Sequence, residues 1–205
     1  MEPFETTGVR GFLHSAESPN GNAILLTHGA GSNAGAPLLV ALAEAFAGAG
    51  FLVLRYDLPF RTSGRKSPPP PAAQSSDRQG VLRAIDAVRS MTKGRIVAGG
   101  HSYGGRQTAM AAAENPDMAD GLLLLSYPLH PPDKPQQLRT SFFSQLRTPA
   151  LFVHGSRDPF GTLAELGDAL RLIPAKTDLL AVEKAGHDLK PAARMAETIL
   201  RRMVF

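Results

Sequence analysis

Short apolar runs alternate with amphipathic segments along most of the chain. Residues 23–27 and 121–126 are apolar at nearly every position, not at every second one. Continuous runs of this length are typical of strands that are buried on both faces of a parallel sheet. Residues 77–91 instead carry apolar side chains at helical spacing. The pattern predicts an α/β fold in which helices cover both faces of a mostly parallel sheet.

The predicted sheet has about six or seven strands. An alternating segment at residues 7–14 predicts an edge strand, and further strands are expected at residues 23–27, 51–56, 95–97, 121–126, 150–153 and 177–182. Helices are expected at residues 37–49, 77–91, 162–172 and 191–203, with another directly after residue 102. Residues 57–76 contain four consecutive prolines and predict a loop. The chain length of 205 residues predicts a single domain over residues 1–205.

Composition excludes several classes of protein. The chain has no cysteine, which excludes disulfides and thiolate chemistry. No apolar run reaches the roughly 20 residues that span a bilayer, and no secretory signal is recognisable, so we expect a cytoplasmic protein without membrane contact. The net charge is +4, but 18 acidic residues are scattered among the basic ones. This mixing argues against a nucleic-acid partner.

Residues 100–104 read G-x-S-x-G between a predicted strand and a predicted helix. In this context the motif is typical of a nucleophile elbow, a strained turn that lifts a serine hydroxyl out of the sheet. Glycines on both sides allow the backbone to double back. Ser102 is therefore the candidate nucleophile.

A serine nucleophile needs a base, and the base needs a carboxylate that fixes its tautomer. Asp158 and His187 each follow a later predicted strand, and the order Ser, Asp, His is the one found in α/β-hydrolases. Asp133, in a proline-rich loop after the strand 121–126, is the alternative carboxylate and ranks below Asp158. His130 in the same loop is a candidate substrate-binding residue.

The tetrahedral intermediate also needs two preorganised N–H donors. One is expected to be the backbone N–H of Tyr103, and the other that of Ala30 in the H-G-x-G sequence at residues 28–31. A dinucleotide-binding glycine loop is the rival interpretation, but residues 29–34 do not complete G-x-G-x-x-G cleanly. His28 and His154, each before a glycine at a strand end, are expected to orient loops through backbone hydrogen bonds.

Three basic residues, Arg61, Arg65 and Lys66, lie in the predicted loop after the strand 51–56 without an acidic residue among them. They either favour capture of an anionic substrate or serve solubility. Arg65 is accordingly a second candidate substrate-binding residue. The stretch between the strands 121–126 and 150–153 is too short for a full helical lid, which predicts an open site for small or polar esters.

These motifs together resemble a minimal α/β-hydrolase of the dienelactone-hydrolase-like kind. The stretches at residues 55–59, 64–66, 126–131 and 154–158 are similar to the KANSL3/Tex30-type hydrolase group. The resemblance implies hydrolysis of a small-molecule ester by a Ser-His-Asp triad, without a metal or organic cofactor. Two alternatives stay open: a thioester or amide substrate, and a non-catalytic binding module on the same fold.

Overall fold

The computed structural model describes residues 1–190 and 192–203 of the chain, which contain one eight-stranded sheet. The strands are β1 (Glu2–Thr6), β2 (Val9–His14), β3 (Ala23–Thr27), β4 (Leu52–Tyr56), β5 (Ile96–His101), β6 (Gly121–Leu125), β7 (Ala150–Gly155) and β8 (Thr177–Val182). Their order is β1-β2-β4-β3-β5-β6-β7-β8. The pairs β1–β2 and β2–β4 are antiparallel and the other pairs are parallel, which confirms the predicted α/β fold.

Helices cover both faces of this sheet. They are α1 (Pro37–Gly48), α2 (Pro59–Thr62), α3 (Ser75–Arg89), α4 (Tyr103–Glu114), α5 (Leu163–Leu170) and α6 (Ala196–Arg202), with 3-10 turns at Pro71–Ala73, Phe143–Gln145 and Ala192–Met195. Apolar side chains of α3, α4 and α5 form the core on one face, and those of α1 and α6 form the core on the other. In β3, Leu25 belongs to the first core while Ile24 and Leu26 belong to the second, and all three are fully buried. Burial on both faces explains why the strand is apolar throughout.

The order in which successive strands are added to the sheet reverses at β3. Its two neighbours, β4 and β5, are the next two strands along the chain and lie on opposite sides of it. In open α/β sheets, the loops beyond the carboxyl ends of the strands form the ligand crevice at such a switch point. The predicted elbow after β5 and the glycine-rich loop after β3 therefore meet at this crevice.

The sheet has one strand more than the largest predicted number. The additional strand, β1, pairs only with β2, and most of its side chains are exposed. Its sequence therefore carries little hydrophobic signal. As a result, the segment predicted as an edge strand at residues 7–14 is the second strand, and β1 occupies the edge.

Some boundaries also differ from the predictions. The expected loop 57–76 contains α2 and a 3-10 turn, and α3 begins at Ser75, two residues before the predicted start. Proline at the first position favours both short elements. The helix predicted at residues 191–203 is a 3-10 turn followed by α6, and its first residue, Pro191, lies outside the described residues.

The connection between β6 and β7, residues 126–149, contains one 3-10 turn and no longer helix. A helical lid is therefore absent at this position, as predicted. Within the part of the chain that the structure describes, no helix has the length and apolar character that a membrane span requires.

Candidate active site

Ser102 lies at the turn between β5 and α4 with φ of 50° and ψ of −115°. Such a conformation is rare for a residue with a side chain and costs on the order of 1–3 kcal/mol. Two residues further on, Gly104 packs against the neighbouring loop, where a Cβ atom would lie 2.5 Å from the carbonyl oxygen of His28. The N–H of Ser102 donates to the carbonyl of Leu125 at 2.8 Å, which holds the turn on the end of β6. This is the geometry of the predicted elbow.

Ser102, His187 and Asp158 form one chain of hydrogen bonds. The Ser102 Oγ atom lies 2.8 Å from His187 Nε2, and His187 Nδ1 lies 2.8 and 3.0 Å from the two carboxylate oxygens of Asp158. Because a carboxylate only accepts, the proton of a neutral His187 ring is on Nδ1. Nε2 is then free to accept the serine proton.

Asp158 is held in the ionised form by its neighbours. Its side chain has no exposed surface, and burial alone opposes ionisation. The hydrogen bond from His187 and a 2.9 Å bond from the N–H of Phe160 outweigh burial, and the pKa of Asp158 is lower than its ordinary value. An ionised carboxylate at this position stabilises a protonated His187.

The loop that carries His187 is held from two sides. The Phe160 ring lies 4.3 Å from the His187 ring, centroid to centroid, and Nε2 of His101 donates to the His187 carbonyl at 2.8 Å. Burial lowers the pKa of His101, which keeps its ring neutral. At Gly155, a Cβ atom would come within 2.4 Å of the Ala185 carbonyl oxygen, so the loops after β7 and β8 are in backbone contact.

The two predicted oxyanion donors belong to segments next to Ser102, namely the start of α4 and the loop after β3. Tyr103 is the first residue of α4, where backbone N–H groups have no intrahelical acceptor. A Cβ atom at Gly29 would come within 3.5 Å of the Ser102 Cβ, which places the loop after β3 directly beside the serine. Among the described residues, the N–H groups of Ala30 and Tyr103 donate to no protein acceptor.

His28 determines the direction of the Ala30 N–H. The N–H of Leu58 donates to His28 Nε2 at 3.1 Å, so the ring proton is on Nδ1, which donates to the Gly29 carbonyl at 2.8 Å. Because a trans peptide is planar, the Ala30 N–H points opposite to that carbonyl. Burial lowers the pKa of the fully buried His28 and favours this neutral form.

Two side chains at the end of β4 bind the backbone of the loop after β3 at Ala34. Asp57 Oδ1 accepts the N–H of Ala34 at 2.7 Å, and Arg55 Nη1 donates to the Ala34 carbonyl. Arg55 is 1% exposed, and its Nε donates to His14 Nε2 at 3.0 Å. Sequence reasoning missed Arg55 and His14, because nothing in a strand sequence indicates which loop its side chains bind.

The other predicted site residues lie apart from this hydrogen-bonded chain. Arg65 is exposed in the loop after α2. His130 is buried, where Nδ1 bonds to the Pro131 carbonyl and its backbone N–H donates to the Phe160 carbonyl, so it joins two loops of the site. Asp133 is exposed in the turn that follows. No cluster of three or more metal-binding side chains occurs within residues 1–190 and 192–203.

Comparison with known proteins shows the family to which the fold belongs. The family model described as an alpha/beta hydrolase domain matches residues 20–203, which is most of the chain. The chain belongs to the alpha/beta hydrolase family. The eight-stranded sheet of this chain is accordingly an alpha/beta hydrolase sheet.

Solved alpha/beta hydrolases share the fold at low identity. Dienelactone hydrolase from Anabaena variabilis is 23% identical with a TM-score of 0.73, over 98% of this chain and 96% of the other. A serine hydrolase homologue from Coxiella burnetii is 16% identical with a TM-score of 0.78, over 99% and 97%. Est1E from Butyrivibrio proteoclasticus, solved with ferulic acid bound, is 18% identical with a TM-score of 0.74, over 98% and 99%. At these identities the comparison shows the fold.

Proposed function

We propose that this protein is a serine hydrolase that cleaves small carboxylic esters through a covalent acyl-enzyme. The observation that carries the proposal is the continuous hydrogen-bonded chain from Ser102 through His187 to Asp158, with distances of 2.8 Å at both joints. Distances of this size allow direct proton transfer. The esterase and hydrolase neighbours of the fold support the same reaction class.

In the proposed first half-reaction, His187 Nε2 takes the proton of Ser102 as its Oγ attacks the ester carbonyl. The tetrahedral oxyanion is then held by the N–H groups of Ala30 and Tyr103. Asp158 stabilises the imidazolium, which returns its proton to the leaving alcohol as the C–O bond breaks. The second half-reaction repeats these steps with water as the nucleophile, and it releases the acid and free Ser102.

The open entrance supports a preference for small substrates. With a single 3-10 turn between β6 and β7, no helix encloses a long acyl chain there. We also propose that the protein is a member of the KANSL3/Tex30-type group, from the similarity of its stretches at residues 55–59, 64–66, 126–131 and 154–158. Whether the scissile bond is an ester, a thioester or an amide is decided by turnover of a series that shares one acyl group.

A serine-directed fluorophosphonate tests the proposal directly. Wild-type protein should be labelled once, on the peptide that contains Ser102, and lose esterase activity in proportion. The Ser102→Ala variant should show neither labelling nor turnover. Ser141→Ala, at an exposed serine in the loop between β6 and β7, is the matched control and should behave as wild type. Labelling or wild-type turnover in Ser102→Ala would refute the assignment.

A further inference from the structure

An aromatic side chain, Phe160, lies against the ring of His187. The centroids of the two rings are 4.3 Å apart and their planes are inclined by 34°, so the rings are in van der Waals contact. Phe160 and Ser102 are both half-buried, and the His187 side chain is 23% exposed. The Asp158 side chain, by contrast, has no exposed surface. Phe160 therefore belongs with Ser102 and His187 to the part of the site that a substrate can reach.

The backbone of Phe160 is held on both sides, so the ring has little freedom to leave this position. Its N–H donates to Asp158 Oδ1 at 2.9 Å, and its carbonyl accepts the N–H of His130 at 3.1 Å. Gly161 follows with φ of 151° and packs on Leu129, where a Cβ atom would lie 3.0 Å from the leucine Cβ. An apolar surface that is fixed before the substrate arrives binds it at a smaller entropic cost.

The orientation of His187 depends mainly on polar contacts other than this ring. Its Nδ1 bonds to the Asp158 carboxylate at 2.8 Å, and its carbonyl accepts from His101 Nε2 at 2.8 Å. The His101 ring lies 5.0 Å from the His187 ring, centroid to centroid, and its Nε2 is used by that bond. Phe160 thus supplies the hydrocarbon ring beside the catalytic imidazole, and a contact with substrate is the use that this position offers.

The leaving alcohol of an ester at Ser102 lies on the His187 side of the scissile bond. Nε2 is the atom of His187 that faces Ser102, at 2.8 Å from its Oγ. In the proposed mechanism the protonated Nε2 donates to the leaving oxygen, which requires a separation of about 2.6–3.2 Å. The acyl chain extends from the other side of the carbonyl carbon. The organic part of the alcohol is therefore next to the imidazole, where Phe160 packs.

We propose that the Phe160 ring binds the leaving alcohol, and that the protein prefers esters of aromatic alcohols such as benzyl alcohol. This inference rests on the proposed function, since it places the scissile bond at Ser102. A second aromatic ring stacks on Phe160 or meets it edge to face, and such pairs are favourable beyond the apolar area that they bury. A methyl group on the same oxygen is too short to cover the ring.

Two butyrate esters that differ only in the alcohol, benzyl butyrate and methyl butyrate, test this preference. Phe160→Ala removes the ring and should lower the benzyl-to-methyl ratio of kcat/KM by about 10- to 30-fold. Any loss that arises because His187 is less well held affects both esters and cancels in the ratio. Phe160→Leu keeps an apolar surface and should retain part of the preference. Phe4→Ala, at a half-buried phenylalanine on the edge strand β1, is the matched control and should leave the ratio unchanged.

A second measurement separates binding of the alcohol from positioning of His187. Both esters give the same butyryl-enzyme, and His187 takes a proton from water or from an added alcohol as its oxygen attacks the acyl carbon. Attack by the alcohol forms a new ester and frees Ser102, which is the reverse of acylation. The preference for benzyl alcohol over methanol in this partition should fall in Phe160→Ala by the same factor as the kcat/KM ratio. Chromatography of the products measures it.

Three results have distinct meanings. Equal losses on both esters with an unchanged partition would show that Phe160 only supports His187, and would overturn the inference. A loss that follows the acid, seen when methyl phenylacetate is compared with methyl butyrate, would also overturn it, because the ring would then bind the acyl group. Failure of the proposed function has a different signature, which is ester hydrolysis that survives in Ser102→Ala.

Discussion

The hydroxyl group of Tyr103 donates a 2.6 Å hydrogen bond to Asp77, a carboxylate with no exposed surface. The second carboxylate oxygen accepts the N–H of Phe60 at 3.0 Å. The start of α3 is thereby tied to the first residue of α4, whose N–H is a proposed oxyanion donor. Asp77 is in this sense a positioning residue for the elbow.

Tyr103→Phe should therefore lower kcat while KM for a neutral ester stays nearly constant. The substitution leaves a buried carboxylate one partner short, which costs about 1–3 kcal/mol of unfolding free energy. An oxyanion donor acts mainly in the transition state, so its displacement affects kcat. Steady-state kinetics and urea unfolding measure the two effects separately. A loss of stability with unchanged kcat would show that the pair serves only the fold.

Asp158→Asn should reduce kcat by roughly 10⁴-fold, the size of effect known for a triad carboxylate. The amide no longer fixes the tautomer that leaves His187 Nε2 free to accept. Asp133→Asn, in the exposed turn after β6, is the matched control and should retain wild-type turnover. If the two variants exchanged these results, the carboxylate would have to come from the earlier loop.

His28→Ala should lower kcat by up to about 100-fold, because the Gly29 carbonyl loses its donor and the next N–H is no longer directed at the oxyanion. Fluorophosphonate labelling of Ser102 should continue at a reduced rate, since the nucleophile and its base are intact. Turnover on a neutral ester and labelling rate are measured on the same preparation. Unchanged kcat would mean that the loop keeps its orientation without the ring.

Acid should destabilise the protein through His14. Burial and then the charge of Arg55 lower the pKa of His14 to about 4, from an unfolded value of 6.5. Below pH 6.5 the unfolded chain therefore takes up a proton that the folded chain takes up only near pH 4. The contribution is complete above pH 6.5 and is lost as the pH falls toward 4, by at most about 3 kcal/mol.

Urea unfolding of wild type and His14→Gln between pH 7 and 4 measures this contribution. The glutamine oxygen can still accept from Arg55 Nε, but the amide does not titrate. The wild-type stability should fall more steeply than that of the variant over this range. Parallel curves would contradict the assignment of the acid sensitivity to His14.

The sequence was sufficient to propose Ser102, Asp158 and His187 as a group, because each has a local signature. Ser102 lies in a glycine-spaced motif, and Asp158 and His187 each follow an apolar strand. Parallel strands bring their carboxyl ends to one edge, so three separate positions become neighbours without any long-range information.

The supporting residues have no such signature. Arg55 binds a loop 21 residues away, and Asp77 binds a tyrosine 26 residues away, through side-chain directions that only the packed structure determines. The edge strand β1 was missed for a related reason, since a strand exposed on both faces needs no apolar pattern. Long-range polar contacts are therefore the part of the site that sequence pattern does not predict.

The backbone contact at Gly155 shows how a residue outside the site can determine the position of His187. The loops after β7 and β8 are in backbone contact there. A side chain at residue 155 would push the Ala185 carbonyl away from the end of β7 by about an ångström or more. His187 would move with its loop, away from a serine that is fixed on another strand. Gly155 has no proposed contact with the substrate, yet it helps to set the distance between His187 Nε2 and Ser102 Oγ. Its substitution would therefore lower turnover in the same way as removal of His187.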